Sequence, residues 1–138
     1  MAKQIHILTR SISMDIIISN SSGVALYEQI EEQIKSQIIS GELSEGDALP
    51  SMRVLAKELK ISLITTKRAY EDLERDGFIY SIIGKGSFVK GINHNIVKEN
   101  IMYSVQEFLE SAVDKAVIGK VTLEEMQEML KLLYEEKS

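Results

Sequence analysis

Residues 48–89 carry one ordered string: ALPSMRVLAKEL, then KISLITTKRAYEDLERDGFIY, then SIIGKGSFV, with the strings overlapping nothing and leaving no gap long enough for another element. The string predicts two short helices joined by a tight turn, followed by a two-stranded ribbon with a glycine-rich tip. Ser51 follows the only proline, Pro50, and its hydroxyl can accept a hydrogen bond from a first-turn N–H, so it opens the first helix, with Leu55, Ala56 and Leu59 turned inward. Ser62 repeats that capping chemistry for a second helix over 63–75, where Thr66, Ala69 and Leu73 point inward and Asp76-Gly77 stops the turn. Residues 78–82 and 87–90 alternate as strands do, and Gly84-Lys85-Gly86 between them forms a hairpin tip that presents a lysine. This order of parts predicts a winged helix-turn-helix, which lays its second helix in a DNA groove.

The flanks add an amphipathic helix before the string and two after it. Leu26, Ile30, Ile34 and Ile38 recur every four residues with Tyr27 on a flank, and Gly41 stands where a C-cap falls. Further upstream, residues 15–19 (DIIIS) read as a short strand broken by Asn20-Ser21-Ser22-Gly23; residues 1–13 show little pattern, and Met14 offers an alternative start. After Gly91, the spacing of Val97, Ile101, Val105, Phe108, Ala112 and Ala116 predicts a helix of about five turns, its apolar stripe widened by Met102, Leu109 and Val113. Gly119-Lys120 interrupts it. Thr122 and Glu125 then make a capping box for a last helix carrying Leu123, Met126, Met129, Leu130 and Leu133. The expected class is mainly α with a small β-wing. Its divisions are 1–22, an N-terminal extension with a short strand; 23–91, the winged helix-turn-helix; and 92–138, a short two-helix appendage.

Two helices with wide apolar faces cannot bury them alone. Pairing with a second chain makes a four-helix assembly, so the appendage is expected to dimerise through Val97, Ile101, Val105, Phe108, Leu109, Ala112, Met126, Leu130 and Leu133. A homodimer presents two recognition helices and matches a palindromic operator in double-stranded DNA.

Charge separates the same regions. The chain of 138 residues has a net charge of −5, which argues against a protein coated with nucleic acid. Residues 51–90 nevertheless carry eight Lys or Arg against five acids, whereas residues 1–50 carry three bases against seven acids and residues 91–138 five against nine. Cations therefore gather on the reading head, and the acidic remainder repels phosphate. The candidate contact residues are Arg53 at the start of the first helix, Leu63, Thr65, Lys67 and Arg68 on the second, and Gly84, Lys85 and Gly86 at the wing tip. Lys and Arg suit phosphates or guanine edges, and threonine suits phosphate or a thymine methyl. A cation in the first turn, like Arg53, opposes the helix dipole unless a phosphate docks there.

Nothing comparable supports catalysis. His6 and His94 stand outside any cluster, the acidic pairs Glu31-Glu32 and Glu135-Glu136 read as solvated helix faces, and no P-loop, dinucleotide fingerprint or nucleophile elbow occurs. No catalytic residue, metal site or cofactor is expected. With no cysteine, no apolar run near 18 residues and no signal-peptide core in MAKQIHILTR, the expected setting is cytoplasmic, away from membranes.

The segments LYEQI, GELSEGDALPSMRVLA, ISLITTKRAYEDLERDGFIY and GKGSFV, over residues 26–89, resemble the GntR family of bacterial transcription regulators. The short helical tail resembles the YtrA subfamily, in which a two-helix appendage replaces larger effector domains. The resemblance implies a homodimeric repressor, with Arg53, Thr65, Lys67 and Gly84 at family DNA-contact positions, and control of an ABC-transporter operon. Leu63 departs from the family pattern, where arginine is frequent; an apolar residue there gives up a phosphate or guanine contact and suits a thymine methyl. Lys67 likewise replaces a frequent arginine, keeping charge without the bidentate fork. The operator therefore does not carry over from the family. Left open at this point are an effector and its identity, activation against repression, and a winged-helix protein-interaction module that has lost specific DNA binding.

Overall fold

The computed structural model describes the backbone of residues 2–9 and 12–138 and the side chains of residues 14–138. Its elements in chain order are β1 (Ala2–Thr9), β2 (Ile12–Ser19), α1 (Leu26–Ser40), α2 (Met52–Leu59), α3 (Leu63–Arg75), β3 (Ile79–Ile82), β4 (Gly86–Val89), α4 (His94–Gly119) and α5 (Leu123–Lys137). They fall into two compact units, the first ending at His94 and the second running from Asn95 to Ser138.

The capping residues act locally as their chemistry requires. Ser51 Oγ accepts from the Val54 N–H at 3.1 Å, and Ser62 Oγ from the Thr65 N–H at 3.1 Å. Gly41 closes α1 in the left-handed conformation, φ 87°. The end of α2 is less ordinary. Lys60, not a glycine, takes the left-handed cap at φ 56°, and the chain reverses within two residues into Ser62 and α3.

Both α1 and α2 pack on α3. The shared core holds Ile30, Ile34 and Ile38 of α1, Leu55 and Leu59 of α2, and Ala69, Tyr70 and Leu73 of α3. Tyr70 is buried with its hydroxyl donating to the Pro50 carbonyl at 2.6 Å, so α3 holds the loop that starts α2. In the wing, β3 and β4 run antiparallel with Ile79 opposite Val89 and Ile82 opposite Gly86. The loop before α2 lies along the free edge of β4: the Gly46 and Leu49 N–H groups donate to the Val89 and Ser87 carbonyls, and the Val89 N–H returns to Asp47, each at 2.9 Å. The wing is thereby tied along β4 to the loop that opens α2.

The N-terminal segment departs from the sequence reading. β1, in a segment whose sequence shows little pattern, pairs antiparallel with β2 from Ala2 opposite Ser19 to Thr9 opposite Ile12. Met14, Ile16 and Ile18 of β2 join the same core as α1, so a segment expected as an extension is packed into the first unit. The other edge of β2 is satisfied by side chains. Gln29 accepts from the Ser19 N–H and donates to its carbonyl, both at 2.8 Å; Gln33 makes the same pair with Ile17; Gln37 donates to the Asp15 carbonyl at 2.8 Å. Four residues of helix rise about 6 Å and two residues of strand about 6.6–6.8 Å, so glutamines one helical turn apart stay in step with alternate strand residues.

In the second unit α4 has 26 residues, about seven turns rather than the expected five. Lys120 takes the left-handed conformation after it, φ 57°, and the Val121 N–H bonds back to Ala116 at 2.8 Å. Thr122 and Glu125 complete the expected capping box of α5. The two helices do not pack along each other. Ala116 is the one buried side chain among the described residues of this unit, and the apolar stripes of both helices stand open to solvent. No described helix is long and apolar enough to cross a membrane.

Candidate nucleic-acid interface

The first turns of α3 form an exposed surface. Leu63, Ile64, Lys67 and Arg68 are exposed, Thr65 is half-buried, and Thr66 faces the core. Thr65 Oγ1 lies 2.7 Å from Ser62 Oγ, so its hydroxyl belongs to the helix cap. Lys67 Nζ sits 3.8 Å from Glu71 on the next turn, and both are well exposed. Such a pair is weak and exchanges readily for a phosphate. Arg68 is held more firmly. Its guanidinium lies 3.9 Å from the centroid of the Tyr27 ring on α1, and Nε is 3.9 Å from Asp72.

Neither α2 nor α3 has an acid in its first turn, whereas α1 has Glu28 and α5 has Glu124 and Glu125. The positive ends of these two helix dipoles are thus left for an outside anion. Arg53, Lys57 and Lys60 line one open depression on α2 with Ala56, Ile61 and Leu63. None of the three cations makes an ion pair among the described residues. Lys57 and Lys60 were not among the candidates from sequence. The available signal was the four-residue step from Arg53 to Lys57, which puts both on one helix face.

The wing tip projects separately, carrying Gly84, Lys85 and Gly86. Gly84 has φ 79° and Gly86 φ 114°, and the Lys85 N–H closes the turn on the Ile82 carbonyl at 2.9 Å. A Cβ built at either glycine meets no protein atom within 4 Å. Glycine is therefore required there by backbone conformation, and the space beside it belongs to solvent or a ligand. Tyr80 and Phe88 stack across the strands at 5.6 Å, stiffening the ribbon behind its tip.

Behind the exposed face lies a carboxyl pair, Glu31 and Asp72, although the sequence places Glu31 with Glu32 on a solvated helix face. Glu31 of α1 is only 8% exposed, and its Oε1 has no hydrogen-bond partner among the described residues. Burial, with hydrogen bonding to Asp72, pushes its pKa up to about 7. The same hydrogen bond, followed by the nearby Arg75 and Arg68, holds Asp72 below the usual carboxylate range. Lys35 bridges to Asp76 at 3.3 Å, and Arg75 contacts Asp72 at 2.9 Å. No group of His, Asp and Glu among the described residues is arranged to hold a metal ion.

Comparison with known proteins points the same way. The model for bacterial regulatory proteins of the gntR family matches residues 26–89. The HTH-type transcriptional repressor YtrA of Bacillus subtilis (strain 168) is 33% identical over 116 residues, spanning 84% of this chain and 89% of that protein. Among solved structures, a transcriptional regulator from Oenococcus oeni aligns with TM-score 0.66 and 27% identity over 85% of this chain and 97% of its own. YtrA from Sulfolobus acidocaldarius, a GntR-family transcription factor, aligns with TM-score 0.53 and 34% identity over 65% of this chain and 95% of its own.

Proposed function

The chain belongs to the GntR family of bacterial regulatory proteins and is a DNA-binding transcription regulator rather than an enzyme, and we propose that it acts as a homodimeric repressor on a palindromic operator. The observation that carries this reading is the second unit, residues 95–138, where one side chain is buried and Phe108, Leu109, Leu130 and Leu133 are all exposed. Soluble monomers rarely leave so continuous an apolar surface uncovered. A second copy supplies the complementary cover, and its symmetry places two reading heads on two related half-sites. Each head engages DNA through Arg53 and the start of α3, with Thr65, Lys67 and Arg68 in the major groove and Gly84, Lys85 and Gly86 of the wing against the backbone or minor groove. Residues 23–91 form the reading domain in this scheme and residues 92–138 the dimerisation appendage. Repression follows from occupancy of a promoter, with a transport operon as the first target to test and any small-molecule effector unassigned.

Footprinting of the chain's own upstream region, beside sedimentation at micromolar concentration, tests the reading. The expected result is a dimer that protects two symmetric half-sites and loses affinity steeply with salt. A monomer that protects a full palindrome sinks the dimeric mechanism.

A further inference from the structure

Among the described residues of the first unit, eight large apolar side chains are exposed, and they are exposed to very different degrees. The two most open to solvent are Ile64, 81% exposed, and Ile83, fully exposed. Ile64 is the second residue of α3, and Ile83 precedes Gly84 in the wing turn. Ile64 has no part in the hydrophobic core. A single exposed isoleucine is common on protein surfaces, so its place has to supply the reason. Lys67 and Arg68 stand three and four residues further on, so Ile64 shares their stripe of the helix and is followed along it by two cations. No acid occupies the first turn. This surface suits the phosphate-walled floor of a DNA groove, and residues at the start of a recognition helix are those that reach base edges. The apolar feature on a major-groove base edge is the thymine 5-methyl group.

We propose that Ile64 reads a thymine 5-methyl in the major groove, making it a specificity-determining residue of each half-site. The inference rests on the DNA-reading function and deepens it. Lys67 and Arg68 supply affinity through phosphates, which carries little sequence information; Ile64 supplies discrimination without a hydrogen bond. The half-site therefore requires thymine where Ile64 lands, and cytosine, which lacks the methyl, is rejected there.

The test begins with selection of a preferred site from randomised duplexes. Each thymine of one half-site is then replaced singly by deoxyuridine, which removes the methyl and leaves base pairing intact. At one position wild-type affinity should fall about fourfold, the scale of one buried methyl group. Ile64→Ala should bind the thymine duplex more weakly by at least a similar factor and be indifferent to deoxyuridine at that position. Lys85→Ala should weaken binding yet keep the wild-type response to the missing methyl. Because Ile64 is exposed, Ile64→Ala should melt close to wild type, which separates a lost contact from a lost fold. Equal binding of wild type to every deoxyuridine duplex, or an Ile64→Ala variant that still senses the methyl, overturns the proposal while leaving sequence-specific binding in place. An Ile64→Ala variant with unaltered DNA binding and altered sedimentation overturns it by assigning the side chain to a protein contact. Failure to select any duplex overturns the DNA-reading function itself, and this inference with it.

Discussion

Glu31 shows how one side chain ties the stability of the reading head to pH. Folding raises its pKa from 4.5 to about 7, so the folded chain holds the proton more tightly than the unfolded one. Ionisation of Glu31 therefore opposes folding by an amount that is small below pH 4.5, grows between about 4.5 and 7, and is complete above 7. Asp72 works in the opposite sense: its pKa is lowered, so its contribution is present above 3.8 and is lost as pH falls further. Glu31→Gln keeps the shape and offers an N–H to Asp72 without a charge. It should raise the melting temperature by on the order of 5 °C at pH 8 and change it little at pH 4. Thermal melts at both values check this, and an equal gain at both would assign the effect to packing. Arg53 and Lys67 have no such structural task, since Arg53 has no ion pair among the described residues and Lys67 only a weak one. Arg53→Ala and Lys67→Ala should each weaken operator binding by about 1–3 kcal/mol with unchanged melting. Gel shifts that match wild type at moderate salt would move the reading face elsewhere.

The strand β2 and the wing are secured in different ways. β2 has β1 on one edge and a column of glutamines from α1 on the other, a side-chain device that occupies that edge at Asp15, Ile17 and Ser19 and so hinders pairing with another chain there. Gln33 holds both main-chain groups of Ile17. Because water can replace it at this exposed site, Gln33→Ala should destabilise by only about 1 kcal/mol. Urea unfolding measures that loss, and hydrogen exchange should speed at the Ile17 amide. In the wing, Gly84 depends on its φ of 79° rather than on internal space. A β-branched residue is strained there and also fills the side facing outward. Gly84→Val should therefore weaken operator binding more than Lys85→Ala, as anisotropy titrations would show. The reverse ranking would make the tip no more than a positive charge.

For the whole molecule, the second unit is an unfinished core. Phe108 is 77% exposed at mid-helix with Leu109 beside it, and α5 does not cover either. In the proposed dimer both become buried, where introduced carboxylates are poorly tolerated. Phe108→Asp with Leu109→Asp should shift sedimentation from dimer to monomer and lower operator affinity, because a single reading head then holds one half-site. The melting of the first unit should stay close to wild type, since its core is built from residues 14–94. A dimer that survives both substitutions would place the interface on other residues.

Much of the helix-turn-helix was legible along the chain because its determinants are local. A serine at 51 or 62 caps the helix that starts beside it, Gly41 ends the one before it, and Ile30, Ile34 and Ile38 mark a face through helical geometry alone. The same holds for Thr122 with Glu125, three residues apart. What escaped depends on partners distant in sequence. Gln33 meets Ile17 across 16 residues, Glu31 meets Asp72 on another helix, and Lys60 joins Arg53 only because α2 ends at a left-handed lysine. β1 carries only the short alternation Gln4-Ile5-His6-Ile7, and its eight-residue length follows from pairing with β2. Periodicity measured the apolar stripe of α4 from Val97 to Ala116 and missed three residues at each end, since a helix continues wherever hydrogen bonds allow, with or without a surface to bury. Local chemistry names the elements; the burial of Glu31, the edge of β2 and the gathering of cations at Arg53 exist only once those elements meet, because desolvation and Coulomb energy depend on distance in space and not along the chain.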